Sequence, residues 1–363
     1  MKNFYRSVVV CAMLLLLAGS NLFAQDARFS QYNASPLILN PAMTGLFQGS
    51  YRINAIYRSQ WHSILKSDDP SGTPLFRTFS ASTDFRLPVG KKDGFGVGVV
   101  FLSDKAGAAS FSSNQVNLSL AYAKALNNQG THFLSLGLQA GACVRGINYT
   151  NLRFGAQFDG EGFNPSNPNG ETLPVEQNFT FFDVSAGLFY YGYNQKNKGR
   201  TNYYAGVSIA HINRPNQSFF DGADADLYMK ITGTAGASFP VGPRIDIQPS
   251  VMVLSQGPAF ETNVGSFVKV LFEPNKPNGN AFYVGPWYRI VTRDNVTDSG
   301  GIASEALILV TRIDYSSFTL GFSFDLNLSE LTNATNTNGG FEISAAHIGS
   351  FAKKNKTYFC PRF

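Results

Sequence analysis

Along most of this chain, apolar or aromatic residues alternate with polar or small ones at a period of two. The stretch SYRINAIYRSQW sets the pattern: Tyr51, Ile53, Ala55, Tyr57 and Trp61 fall on one face of an extended strand, and Arg52, Asn54, Arg58 and Gln60 on the other. Successive side chains of a strand point to opposite faces, so one face seeks an apolar neighbour and the other seeks water or polar partners. RTFSASTDFRL places Phe79, Ala81, Thr83, Phe85 and Leu87 against Ser80, Ser82, Asp84 and Arg86. GFGVGVVFL, NQVNLSLAYAK and FLSLGLQAGACVR repeat the theme, and nine further runs continue it to GFEISAAHIG. The pattern predicts about fourteen strands. The run around Pro249 and the run over 306–313 fit less well, because the second is apolar on both faces.

The connections sort into two sets. After even-numbered strands they are short (PVGKKDG, NNQGT, YNQKNKGR, PVGPR, EPNKPNGN and DYS), whereas after odd-numbered strands they tend to be longer, the longest running over 148–178. Short turns at one end, long loops at the other and an even strand number are the plan of an outer-membrane barrel, whose strands of about ten residues span an apolar band of roughly 25 Å. A soluble β-sandwich or propeller would show shorter strands, less one-sided aromatics and no loop asymmetry. Charge placement agrees with lipid on the apolar side. A lipid-facing arginine near the midplane costs about 2–4 kcal/mol, and Arg52, Arg58, Arg86, Arg145 and Arg289 all fall on the opposite face. The expected fold is all-β, a transmembrane antiparallel β-barrel of about 14 strands of outer-membrane type.

Composition sharpens this picture. Aromatic residues make up 14% of the chain and charged residues 15%, which suits strands in a membrane more than a soluble helical enzyme. Lys2 and Arg6 precede an apolar run over 8–18, and SNLFA ends at Ala24, so residues 1–24 read as a secretory signal peptide. No later segment reaches the roughly 18 apolar residues of a membrane helix. Loss of the signal lowers the net charge from +5 to about +3, which gives no reason to expect nucleic acid as a partner. Cys143 and Cys360 are too few for a disulfide framework and too far apart for a zinc site, although a bridge between them stays open. Pro361 lacks the N–H of a paired strand and Lys353, Lys354 and Lys356 break the pattern, so 352–363 is expected as a periplasmic tail.

Candidate chemistry lies in the lumen. Arg52, Arg58, Arg86, Arg145, Lys230 and Arg289 can pair with Asp84, Asp183 and Glu342 as interior salt bridges. Alternatively they form a basic lumen that selects anionic solutes or receives an acidic partner segment. Gly137, Gly141, Gly187, Gly206, Gly236 and Gly285 face inward in the same register, leaving room for strand curvature or an inserted segment. Loops 147–178 and 211–226 are the best outward partner surface. Metal and catalytic signals are weak. His62, His132, His211 and His347 lack ligand spacing, Asp221, Asp224 and Asp226 do not follow the order of an EF-hand, and GFGVG has no phosphate-loop context. No cofactor is expected.

Between signal and barrel lies QDARFSQYNASPLILNPAMTGLF, where Pro36 and Pro41 break regular structure and residues 37–39 form a small apolar anchor. Residues 25–49 are expected as an extended periplasmic segment or a strap entering the lumen, followed by the barrel over 50–351. Within this segment, FSQYNASPLILNPAMTG resembles the N-terminal motif of the PorP/SprF family of type IX secretion system outer-membrane proteins. GLQAGACVRGINYTNLRFGAQFD, FFDVSAGLFYYG, YYAGVSIAHINRPNQSFF, SFDLNLSEL with GGFEISAAH, and the closing CPRF resemble the same family in the same order. The resemblance implies a Bacteroidota-type outer membrane and a role in gliding-associated or type IX export, with secreted adhesin-like cargo and the secretion machinery as partners and outer-membrane lipid around the barrel. It marks Phe29, Tyr32, Pro36, Asn40, Pro41 and Gly45 as a candidate interaction segment. The expected role is non-enzymatic. A passive diffusion channel for small solutes is the alternative.

Overall fold

The computed structural model describes residues 26–351 apart from 62–75, 293–300 and the positions 108, 150–151, 175, 198, 221, 274–275, 277–278 and 330–331. The expected signal peptide, His62, Asp221, Cys360 and the tail 352–363 lie outside the described residues. The first seven strands are β1 (Tyr51–Gln60), β2 (Phe76–Val89), β3 (Asp93–Ala106), β4 (Phe111–Ala125), β5 (His132–Gly146), β6 (Asn178–Tyr193) and β7 (Asn202–Ala210). The other seven are β8 (Lys230–Pro240), β9 (Ile245–Gln256), β10 (Ala259–Leu271), β11 (Ala281–Thr292), β12 (Ile302–Tyr315), β13 (Phe318–Asn327) and β14 (Asn338–Gly349). Each pairs antiparallel with its neighbours in sequence, and β1 pairs with β14 to close the barrel. Closure leaves no strand edge, so the backbone groups of the wall find partners without water.

The period-two pattern becomes an inside and an outside. Ile53, Leu118, Leu136, Leu138 and Phe322 are exposed on the outer face, while Asn54, Asn117, Ser135, Gln139 and Ser323 are buried within. The run over 306–313 belongs to β12, and its inward residues Ala306, Ile308 and Val310 pack into an apolar cluster with Met43, Trp287 and Tyr191. Alternation fails there because neither side of the wall meets water.

Two details differ from the sequence expectations. Connections after β3 and β9 are tight, at 107–110 and 257–258, so the long loops at the outer end are fewer than the odd-strand rule implies. Trp61 lies beyond β1 with a φ of 53°, and packs edge-on against Phe76 instead of extending the apolar face. Short turns at one end mark the periplasmic side, and the loops over 147–177 and 211–229 mark the outer side.

Leu138 is 59% exposed near the middle of β5. Leu138→Arg should destabilise the lipid-embedded barrel by about 2–4 kcal/mol, measured by urea unfolding in bilayers. An unchanged midpoint would show that this face does not meet hydrocarbon.

Candidate functional site

The lumen is occupied by the chain itself. From Asp26 to Phe47 the segment before β1 passes through the barrel as three short turns, Tyr32–Ala34, Pro36–Leu39 and Pro41–Met43. Pro36 and Pro41 each open a turn, where the missing N–H costs nothing and the fixed φ suits a helix start. Asn40 caps the last turn by accepting from the Ala42 N–H at 2.9 Å. The prolines therefore organise the segment. Its direction follows from its contacts. Asp26 meets Gln256 at the outer end of β9, and the Phe47 carbonyl meets Arg86 near the periplasmic end of β2. The segment thus descends from the outer mouth to the periplasmic end before β1 rises again.

The turns satisfy part of the segment's backbone, and the groups they leave over would be costly in a dry lumen without partners. The wall supplies them. Gln139 donates to the Leu37 carbonyl at 3.1 Å, Ser208 to Leu39 at 2.8 Å and Ser135 to Ala42 at 2.7 Å. Arg52 donates to the Met43 carbonyl at 3.1 Å, while Asp84 accepts the Gly45 N–H at 2.7 Å. Room comes from the wall as well. A Cβ on Gly137 would lie 2.3 Å from Ala42 N, and one on Gly187 would lie 2.0 Å from Asn40 Oδ1. At Gly141, Gly236 and Gly285 a Cβ would instead meet atoms of the wall.

Charged residues anchor both ends of the segment. Near the periplasmic end, Arg52 grips Asp84 through two bonds of 3.0 and 2.8 Å, and the two residues face each other across β1 and β2. Toward the outer end, Arg58 faces Glu342 across the β1–β14 seam and bonds it at 2.6 Å. Glu342 also accepts the N–H groups of Ser30 at 2.6 Å and Gln31 at 2.8 Å. Asp325 takes Arg58 at 3.2 Å, Arg289 at 3.1 Å and the Ser30 hydroxyl at 2.7 Å. Arg28 pairs with Glu261.

Other lumen charges find different partners. Lys230 bonds Asp26 at 2.6 Å, and Arg86 donates to the Phe47 carbonyl at 3.1 Å. Asp183 is held by His211 and Gln115, and by no arginine or lysine among the described residues. Arg145 bonds Gln217 and forms no ion pair among the described residues, which corrects the expectation of an acidic partner. Cys143 is a free, buried thiol.

Phe29, Tyr32, Pro36, Asn40, Pro41 and Gly45 are all buried in the lumen. Asn40, for example, donates to the carbonyls of Leu188 and Val207. The contacts that these residues make are with their own barrel wall. Arg28, Ser30, Glu261 and Asp325 act here without having been singled out in the sequence, and His211, weighed there only as a metal ligand, acts here as an anchor. Extending the β10 and β13 alternation would have put Glu261 and Asp325 inside.

His211 follows β7 with a φ of 58° and ties the outer end of the segment down. Its Nδ1 lies 2.9 Å from Asp183 and its Nε2 2.7 Å from Asp26. Burial opposes charge on the ring, but Asp26 and Asp183 outweigh burial and raise its pKa to about 9.

Closed wall, apolar exterior and filled lumen define an outer-membrane β-barrel with an internal plug. The profile of the type IX secretion system membrane protein PorP/SprF matches residues 21–347, and the chain belongs to this family. No curated protein matches the sequence. Among solved structures, it is similar to a deltaS2 mutant of the TodX monoaromatic hydrocarbon channel, at 11% identity and a TM-score of 0.45 over 88% of this chain and 94% of that one. It is similar also to the Ralstonia pickettii toluene transporter TbuX, at 11% identity and TM-score 0.41 over 88% and 94%. BamA from Haemophilus ducreyi lacking POTRA domains 1–3 gives 10% and 0.41 over 82% and 70%.

Gly137→Leu should keep the strand pairing but deny Ala42 its seat. Planar-bilayer recordings should change from closed in the parent to sustained conductance in the variant, and a closed variant would show that the plug seats without this contact. The pH response has a definite sign. A His211 pKa raised from 6.5 to about 9 stabilises the plug fully below about 6.5, and that contribution is lost as pH rises through about 9. Hydrogen exchange at residues 26–31 should therefore show an excess opening above pH 9 that His211→Gln removes. An identical pH profile in that variant would contradict the assignment.

Proposed function

We propose that this outer-membrane component of the type IX secretion system assists export of an adhesin-like cargo protein or holds it at the cell surface, by binding and without covalent chemistry. The observation that carries the reading is the filled lumen beneath long outer loops. A barrel occupied by its own N-terminal segment is a rigid mount more than a solute path, and loops held on a rigid scaffold carry recognition. The two long loops over 147–177 and 211–229 spring from the consecutive strands β5 to β8 and so stand side by side. They expose Phe158, Ile212, Phe220 and Tyr228, apolar groups suited to docking another protein. The diffusion-channel alternative has the plug against it.

A mild-detergent pull-down from the native outer membrane, with a tag in the 211–229 loop, tests this. Recovery of a large surface adhesin with secretion-machinery proteins is expected, as is loss of the adhesin when the 147–177 loop is replaced by a short linker. Recovery of the barrel alone, with single-channel conductance in the parent protein, would overturn the reading in favour of the channel.

A further inference from the structure

Under the outer loops, between β3–β8 and the plug, lies a cavity that the plug leaves open, although Gln139 and Ser208 on its wall bond the plug. Most charges that line it are spent on one another: Asp26 on Lys230 and His211, and Asp183 on His211 and Gln115. Two are not. Arg145 is 8% exposed, its Nε has no hydrogen-bond partner, and its guanidinium lies over the rings of Phe181 at 5.4 Å and Phe111 at 5.8 Å. Asp104 accepts from the Thr78 hydroxyl at 2.6 Å and forms no ion pair among the described residues.

The strand register places these two charges in one row. Asp104 faces Ser113 across β3 and β4, and Ser113 faces Arg145 across β4 and β5. Two strand spacings separate their backbones, about 10 Å, and the two side chains do not bond each other. Arg145 acts on Asp104 through space, but neither forms a direct ion pair among the described residues, so a group that pairs with both would stabilise the charges facing this space. A simple anion would satisfy Arg145 and repel Asp104; a simple cation would do the reverse. A molecule with both charges a bond or two apart answers both, and the Phe111 and Phe181 rings offer an apolar neighbour for the rest of it.

We propose that this cavity binds a small zwitterion of the α-amino-acid class, its carboxylate on Arg145 and its ammonium on Asp104. The proposal goes beyond the export reading and does not rest on it. The β7–β8 loop forms the lid, since Gln217 bonds Arg145 and Phe219 packs on Phe111 and Phe179 at 6.2 and 4.7 Å.

The test uses the purified full chain in detergent micelles and saturation-transfer NMR with three probes: L-phenylalanine, 3-phenylpropionate and phenethylamine. L-phenylalanine should bind at least about tenfold more tightly than either half, as expected when two charge-assisted contacts replace one. Arg145→Gln and Asp104→Asn should each weaken it by at least about tenfold, the same order as loss of one such contact. Heat-modifiable gel migration checks that each variant is folded, and Asp104→Asn carries the test should Arg145→Gln fail to assemble. Equal binding of the acid alone, binding unchanged by both substitutions, or no binding of L-phenylalanine to the parent would each overturn the proposal.

Discussion

The Glu342 carboxylate joins wall and plug into one structure. It stands on the last strand, faces Arg58 on the first, and accepts the N–H groups of Ser30 and Gln31 from the plug. Burying a carboxylate costs several kcal/mol unless its lone pairs are met, and each hydrogen bond to a charged group returns about 1.5–3 kcal/mol. No single partner offsets the burial. Closing the sheet and seating the plug are therefore coupled through one side chain, with Asp325 repeating the arrangement beside it through Arg58, Arg289 and Ser30.

The same logic explains why the lumen is neither uniformly charged nor uniformly apolar. A short-turned segment presents carbonyls and N–H groups in several directions, so serines, glutamines and arginines of the wall meet them where they point. Between those positions the plug turns Leu39, Met43 and Leu46 toward Trp287, Ile308 and Phe133. Hydrogen bonds fix the path of the plug, and the apolar cluster fills the gaps that the path leaves.

This division bears on what was legible in the sequence. Strand number and facing were legible because lipid and lumen impose opposite demands on alternate residues, so Arg52, Asp84 and Glu342 revealed their side from parity alone. β12 was obscure because its inner residues face the apolar cluster and not water. The path of residues 26–47 was not readable, since the segment has no period of its own and its shape is set by partners on many separate strands. His211 was hidden for a related reason: its partners lie 28 and 185 residues away. Arg145 looked like the other inward arginines, and nothing in its neighbours along the chain signals that it bonds Gln217 and forms no ion pair among the described residues.

The closing seam has a temporal consequence as well. Ser30 and Gln31 lie more than three hundred residues from the carboxylate that holds them, with sequence separations of 312 and 311. Contacts of such reach form late, because the chain entropy of closing a long loop must be overcome before they reward it. Glu342 stands on β14, so its contacts with Ser30, Gln31 and Arg58 form only once the last strand has joined the first. Completion is thus chemically marked: the Glu342 carboxylate gains Arg58, Ser30 and Gln31 together only when the first and last strands have met around the seated plug.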